Sequence, residues 1–188
     1  MSEKEFLKKY FDSQIRLIDF KNDNLDKIIE TKNILVETHS KGKKTLIFGN
    51  GGSAAIASHF SVDLTKNAKV RCVNFNESDL ITCFSNDYGF ENWVSQAIEF
   101  YGDPGDILIV ISSSGQSKNM LIGCDAASKK KFSSIITLSG FNEDNPLKSK
   151  GDINLWISSK AYNYVENIHQ IWLLGIVDLI IGNKEYSA

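Results

Sequence analysis

The sequence predicts an α/β fold in which a parallel sheet is covered by helices on both faces. Three observations predict it. Five short runs are rich in branched and aromatic residues and continuous in their apolar character, as strands buried on both sides are. Segments of helix length lie between them, so strand and helix alternate. Two of the runs lead directly into glycine- and serine-rich loops, GNGGS at 49–53 and SSSGQS at 112–117. Such loops belong at the carboxyl ends of parallel strands, where this architecture opens its ligand crevice.

Taken in order, residues from Glu3 to about Ser40 repeat apolar side chains at helical spacing: Phe6, Tyr10, Ile15, Leu17 and Ile18, then Leu25, Ile28, Ile29 and Leu35. This predicts two helices with a break near KNDN at 21–24, forming an extension (1–40) ahead of an α/β core (41–188). After Gly42 come the strand-like runs TLIF (45–48), VRCVNF (70–75), DILIVI (106–111), SIITL (134–138) and INLWI (153–157). Pro104 and Pro146, the two prolines, sit beside Gly or Asn and mark loops. The lysines at 129–131 end a predicted helix, where positive charge suits the dipole. Trp93, Phe100, Tyr101 and Trp172 fall at helical spacing and read as core or subunit contacts, and His39 reads as a solvated turn residue. The most apolar segment, IWLLGIVDLIIG (171–182), is broken by Asp178 and falls short of the roughly 20 residues that span a bilayer. It reads as a core or interface helix.

At 188 residues the chain has room for one domain with its helical extension. A net charge of −2 gives no reason to expect a nucleic-acid partner, and no segment calls for a membrane. Cys72, Cys83 and Cys124 are widely spaced in apolar contexts and read as buried thiols in a reducing compartment. The charged start MSEKEFLKKYFDSQ lacks the apolar core of a secretory signal, so a cytoplasmic location is expected.

The two loops carry the functional signal. A helix N-terminus offers unpaired N–H groups and partial positive charge, and glycine lets the backbone approach an anion. Gly51 and Gly52 supply that freedom in the first loop. Ser53, Ser112, Ser114 and Ser117 add hydroxyl donors of the kind that wrap a phosphate. The competing explanation is that Ser53 and Ser117 are plain N-caps and the glycines plain turns. Two such loops in one sheet favour the anion site. Neither loop matches GxxxxGK[ST], and GxGxxG is absent, which disfavours a nucleotide cofactor.

GNGGSAAIASHFSVDL, SNDYGFEN (85–92) and ISSSGQSKN together resemble the sugar isomerase (SIS) domain family, most closely its phosphoheptose isomerase branch, over nearly the whole chain. The resemblance implies a five-stranded flavodoxin-like sheet in a three-layer sandwich, a phosphosugar ligand, and a homotetramer, or a dimer, with sites shared between subunits. It places Ser53, Ser112, Ser114 and Ser117 at the phosphate, with Ser113 where the family usually has threonine. Asn50 and Asp87 match polar residues near the sugar.

Aldose–ketose isomerisation needs a group to open the ring and a base to carry a proton between C1 and C2 through an enediol. His59 and Asp63 are four residues apart on one helix, Glu166 and His169 three apart on another, so each pair shares a face. Here the chain departs from the branch. It has Asp63 in place of glutamate, Glu166 in place of glutamine, and Leu174 in place of the catalytic histidine; His169 matches an earlier histidine of the same helix. Two readings compete: an isomerase in which the work has passed to Glu166 with help from His59, or a non-catalytic phosphosugar-binding sensor or adaptor. Carboxylates at both 63 and 166 favour the isomerase. No cofactor is required for this chemistry. Some relatives hold zinc at this cluster, and His59, Asp63 and Glu166 are ligand types zinc accepts, although Leu174 removes one ligand.

Overall fold

The computed structural model describes residues 1–18 and 22–186. Helices α1 (Glu3–Ile18) and α2 (Asn22–Ser40) precede β1 (Thr45–Gly49), α3 (Gly52–Lys66), β2 (Cys72–Asn74), α4 (Ser78–Tyr88), α5 (Trp93–Tyr101), β3 (Ile107–Ser112), α6 (Lys118–Lys129), β4 (Ser134–Ser139), a 3-10 turn (Pro146–Ser149), β5 (Ile153–Trp156) and α7 (Tyr162–Ile181). The expected break at 21–24 coincides with the start of α2, and its first residue, Lys21, lies outside the described residues.

All five strands pair in parallel, in the order β2-β1-β3-β4-β5. The centre is the most apolar part: every residue of β1, β3 and β4 is buried. Period-two alternation divides their side chains between two cores. Ile47, Ile109, Ile111, Ile136 and Leu138 point to the face covered by α2, α3 and α7, where they meet Leu35, Phe60, Leu64, Ile168 and Leu173. Leu46, Phe48, Leu108 and Val110 point to the face covered by α5 and α6, meeting Trp93, Ile98, Met120 and Cys124. Each fully buried side chain of this size contributes about 1.5–3 kcal/mol relative to exposure. Phe48 stacks on Phe75 with centroids 5.2 Å apart and meets Trp93 edge-on at 5.6 Å.

The strand order reverses between β1 and β3. After β1 the chain crosses one way to β2; after β2 it returns across β1 to β3. The loops following β1 and β3 therefore separate at a topological switch point, where a parallel sheet leaves a crevice.

Several details differ from the sequence reading. The run at 70–75 pairs only over 72–74, as an edge strand. Cys83 is exposed, because α4 buries none of its residues; Cys72 and Cys124 are buried as expected, and burial pushes both thiols up in pKa. Pro146 opens the 3-10 turn, where its missing N–H costs nothing. Phe100 is exposed while Trp93 is buried. His39 is engaged: its Nδ1 accepts from the Arg71 amide at 3.2 Å. Helix α7 is long and apolar enough to cross a membrane by length and composition, yet Val165, Ile168, Leu173, Ile176 and Val177 pack it onto the sheet.

Candidate active site

The site is built from the ends of β1 and β3. At the first, Gly51 adopts φ 56° and ψ −122°, a conformation that only glycine reaches without strain, and α3 begins at Gly52 with no side chain capping it. At the second, α6 begins after Ser117, whose side chain also makes no cap hydrogen bond. Its hydroxyl instead lies 3.0 Å from that of Ser112. The plain N-cap explanation fails for both serines: Ser53 lies inside α3 and Ser117 turns its oxygen away from the helix end. Two helices of 15 and 12 residues thus present uncapped N-termini, with their positive partial charge, on either side of the switch point.

The loops are locked to one another. Asn50 and Asn119 exchange two amide hydrogen bonds, 3.0 and 2.9 Å long, so the turn after β1 and the first turn of α6 form one rigid unit. Asn119 is 2% exposed, and within SKN nothing local in the sequence signals this role. Asn145 supports the second loop from below, donating to Ser139 Oγ (3.2 Å) and the Asn142 carbonyl (2.8 Å) while its Oδ1 accepts from the Lys148 amide (3.1 Å). Gly115, at φ 67°, packs directly on this amide. The Asn-Pro dipeptide that signals the turn was the available sequence cue.

A cavity of about 110 Å³ lies between the loops, lined by Asn50, Ser53, Ile111, Ser112, Ser113, Ser114, Ser117, Tyr162 and Glu166. Glu166 and Tyr162 are its only titratable groups. Ser113 Oγ is buried without a hydrogen-bond partner among the described residues, a hydroxyl held ready rather than satisfied. Glu166 comes from α7, and its carboxylate rests against Gly52: a β-carbon at position 52 would lie 2.7 Å from Glu166 Cδ. Glycine at 52 is therefore what lets the carboxylate reach the start of α3. Tyr162 was not singled out in the sequence, although its four-residue spacing from Glu166 places both on one face of α7.

The remaining predicted residues do not line this cavity. His59 Nε2 lies 3.2 Å from Asp63 Oδ2, and its Nδ1 lies 3.3 Å from Gln170 Nε2, which ties the pair to α7 one turn below Glu166. Asp87 is exposed on α4, where it bonds Asn86 at 2.9 Å. His169, expected on the reactive face with Glu166, is wholly buried: its Nε2 donates to the Ser139 carbonyl at 3.2 Å, its ring lies 5.9 Å from that of Trp172, and it belongs to the core. Three residues along α7 turn a side chain by nearly a full circle less 60°, enough at this tightly packed position to move it from the cavity to the sheet. Among the described residues no group of three or more His, Cys, Asp or Glu side chains stands close enough to hold a metal ion. Glu166 sits over Gly52 while His59 is committed to Asp63 and Gln170, so the residues present do not fit zinc.

The buried histidine has a measurable consequence. Desolvation pushes the His169 pKa from 6.5 down to about 4, against a smaller upward pull from the Ser139 carbonyl. The folded protein therefore keeps His169 neutral where the unfolded chain protonates it. This contribution is complete above pH 6.5 and is lost as pH falls towards 4, amounting to about 3 kcal/mol. Thermal unfolding followed from pH 7 to 4.5 is expected to show that loss, and His169→Gln to show a shallower decline.

With this geometry in view, the comparisons with known proteins agree. The SIS domain profile matches residues 9–140. A phosphoheptose isomerase from Fusobacterium nucleatum is 35% identical over 150 residues, covering 77% of this chain and 76% of that protein. One from Sulfurimonas denitrificans is 32% identical over 189 residues, covering 97% and 94%. The structure of a phosphoheptose isomerase from Francisella tularensis superposes with a TM-score of 0.86 at 26% identity, over 97% of this chain and all of that one. The chain belongs to the SIS domain family. Its similarity within that family runs to the phosphoheptose isomerases.

Proposed function

We propose that this chain is a phosphosugar aldose–ketose isomerase acting through an enediol, on sedoheptulose 7-phosphate or a related sugar phosphate that feeds surface-polysaccharide synthesis in the cytoplasm. The observation that carries this reading is the single cavity shared by two uncapped helix N-termini, five serines and one carboxylate. The helix ends and hydroxyls suit a phosphate, and Glu166 is the only carboxylate beside it. The names of the relatives at 32–35% identity support the same substrate class.

In this reading Glu166 removes the proton from C1 of the ketose, and the freed electron pair forms the C1–C2 double bond as the carbonyl oxygen takes up a proton to give the enediol. The carboxyl, after exchanging its proton in part with solvent, delivers a proton to C2 as O1 gives up its own to become the aldehyde. The His59–Asp63 pair, anchored to α7 through Gln170, serves ring opening. The sensor or adaptor alternative is not favoured, since binding alone gives no role to a carboxylate pressed against the anion site. The test is incubation with C5 to C7 sugar phosphates in deuterated water: solvent deuterium is expected at C1 and C2 of at least one member. Binding without any exchange would contradict the reading.

Self-association belongs to the same proposal. Helix α1 is amphipathic yet buries none of its residues, leaving Phe6, Leu7, Phe11 and Ile15 all more than half exposed. A second set of exposed apolar residues, Val62, Ile171 and Leu179, lies on the neighbouring helices α3 and α7. Such faces mark contact surfaces, and a tetramer would use both. Light scattering is expected to find an oligomer, and Phe6→Glu combined with Phe11→Glu to shift it towards monomer or dimer.

A further inference from the structure

The cavity between the loops is small. At about 110 Å³ it falls short of the roughly 300–1,000 Å³ of pockets that enclose a whole small molecule. Part of the carbon chain of a five- to seven-carbon sugar phosphate must therefore extend past its mouth. Tyr162 stands there. It lines the cavity one turn before Glu166 on the same face of α7, and its side of the site is open, the residue being 58% exposed.

The ring is held in place. Phe141 meets it edge-to-face, with centroids 4.9 Å apart and planes at 64°. Phe141 itself adopts φ 57°, a left-handed conformation that bulky residues rarely occupy. Its amide donates to the Ser159 carbonyl at 2.8 Å, which pins the backbone between the end of β4 and the loop leading into α7. Glycine would take this conformation freely. Retaining an aromatic side chain under backbone strain is a pattern concentrated at functional sites.

Building on the isomerase reading, we infer that Tyr162 is a specificity-determining residue: its ring, braced by Phe141, forms the wall along which the sugar's carbon chain lies after leaving the anion end of the site. Serine hydroxyls and helix ends recognise any phosphate monoester alike and cannot measure what is attached to it. An aromatic face offers packing to the C–H groups of a sugar and a hydroxyl to its oxygens. Each further carbon in contact with the wall adds discrimination that the phosphate subsite lacks.

The test compares wild type, Tyr162→Ala, Tyr162→Phe and Phe141→Gly, measuring kcat/KM for C5, C6 and C7 sugar phosphates and competitive inhibition by inorganic phosphate. Tyr162→Ala is expected to reduce the preference for the longest accepted sugar over the shortest by roughly tenfold. Inhibition by inorganic phosphate should stay within twofold of wild type. Tyr162→Phe, which keeps the ring, should retain most of the preference, and Phe141→Gly should reproduce part of its loss. Equal loss of activity on every sugar, or weakened inhibition by phosphate, would show a merely structural role and overturn the inference alone. A wild-type protein that turns over no member of the panel overturns the isomerase reading, and this inference with it.

Discussion

Glu166→Gln is expected to lower turnover by two to four orders of magnitude, the range a positioned general base contributes, while leaving phosphosugar affinity within a few-fold of wild type. The reason lies in the composition of the cavity. Of the groups lining it, Glu166 alone is a carboxylate, and no histidine reaches it. His169 is sealed in the core against Ser139, and His59 is engaged with Asp63 and Gln170 outside the cavity. Glutamine preserves the shape and packing over Gly52 but carries no base. A loss in kcat with KM little changed would assign Glu166 to the proton transfer. A loss confined to KM would make it a substrate contact instead.

Gly115→Ala is expected to lower stability by about 3 kcal/mol. Two penalties combine. The position sits at φ 67°, and an added β-carbon would overlap the Asn145 amide and come within 2.8 Å of Asn145 Cβ. Asn145 cannot retreat, because it is 3% exposed and held by hydrogen bonds to Ser139, Asn142 and Lys148. For a chain of this length the corresponding fall in melting temperature is roughly 10 °C. Because the same loop carries Ser112 to Ser117, phosphate affinity should fall with it. Gly42→Ala gives the control: at φ 74° with nothing within 4 Å of the new carbon, it pays the conformational cost alone, about 1 kcal/mol. Similar losses for both variants would mean that the Asn145 support is not rigid.

How much of this could be read from the sequence depended on whether the signal was local. The strands were plain because a parallel strand buried on both faces must be apolar throughout, as DILIVI and SIITL are; the structure moves their ends by a residue or so. Only the edge run at 70–75 was overread, since burial there is partial and three residues suffice to pair. The loops were equally plain, because a backbone that must approach an anion needs glycine and hydroxyl residues in sequence. What the sequence left open was rotation and reach. Glu166 and His169 are neighbours on α7, yet packing sends one to the cavity and the other to the core. Asn119, Asn145 and Tyr162 act through partners 69, 6 and 21 positions away in the chain, at Asn50, Ser139 and Phe141, and pairings of that kind leave no periodic trace. Cys83 was misread because an apolar neighbourhood on a helix that buries nothing does not imply burial.

The central claim is that backbone amides and hydroxyls from two separate strand-to-helix junctions hold a single anion. Titration of isotopically labelled protein with inorganic phosphate, followed by amide chemical shifts, addresses it most directly. Amides at 51–53 and at 112–117 are expected to move together along one isotherm with one dissociation constant. Movement of only one group, or of the two with different constants, would contradict the account.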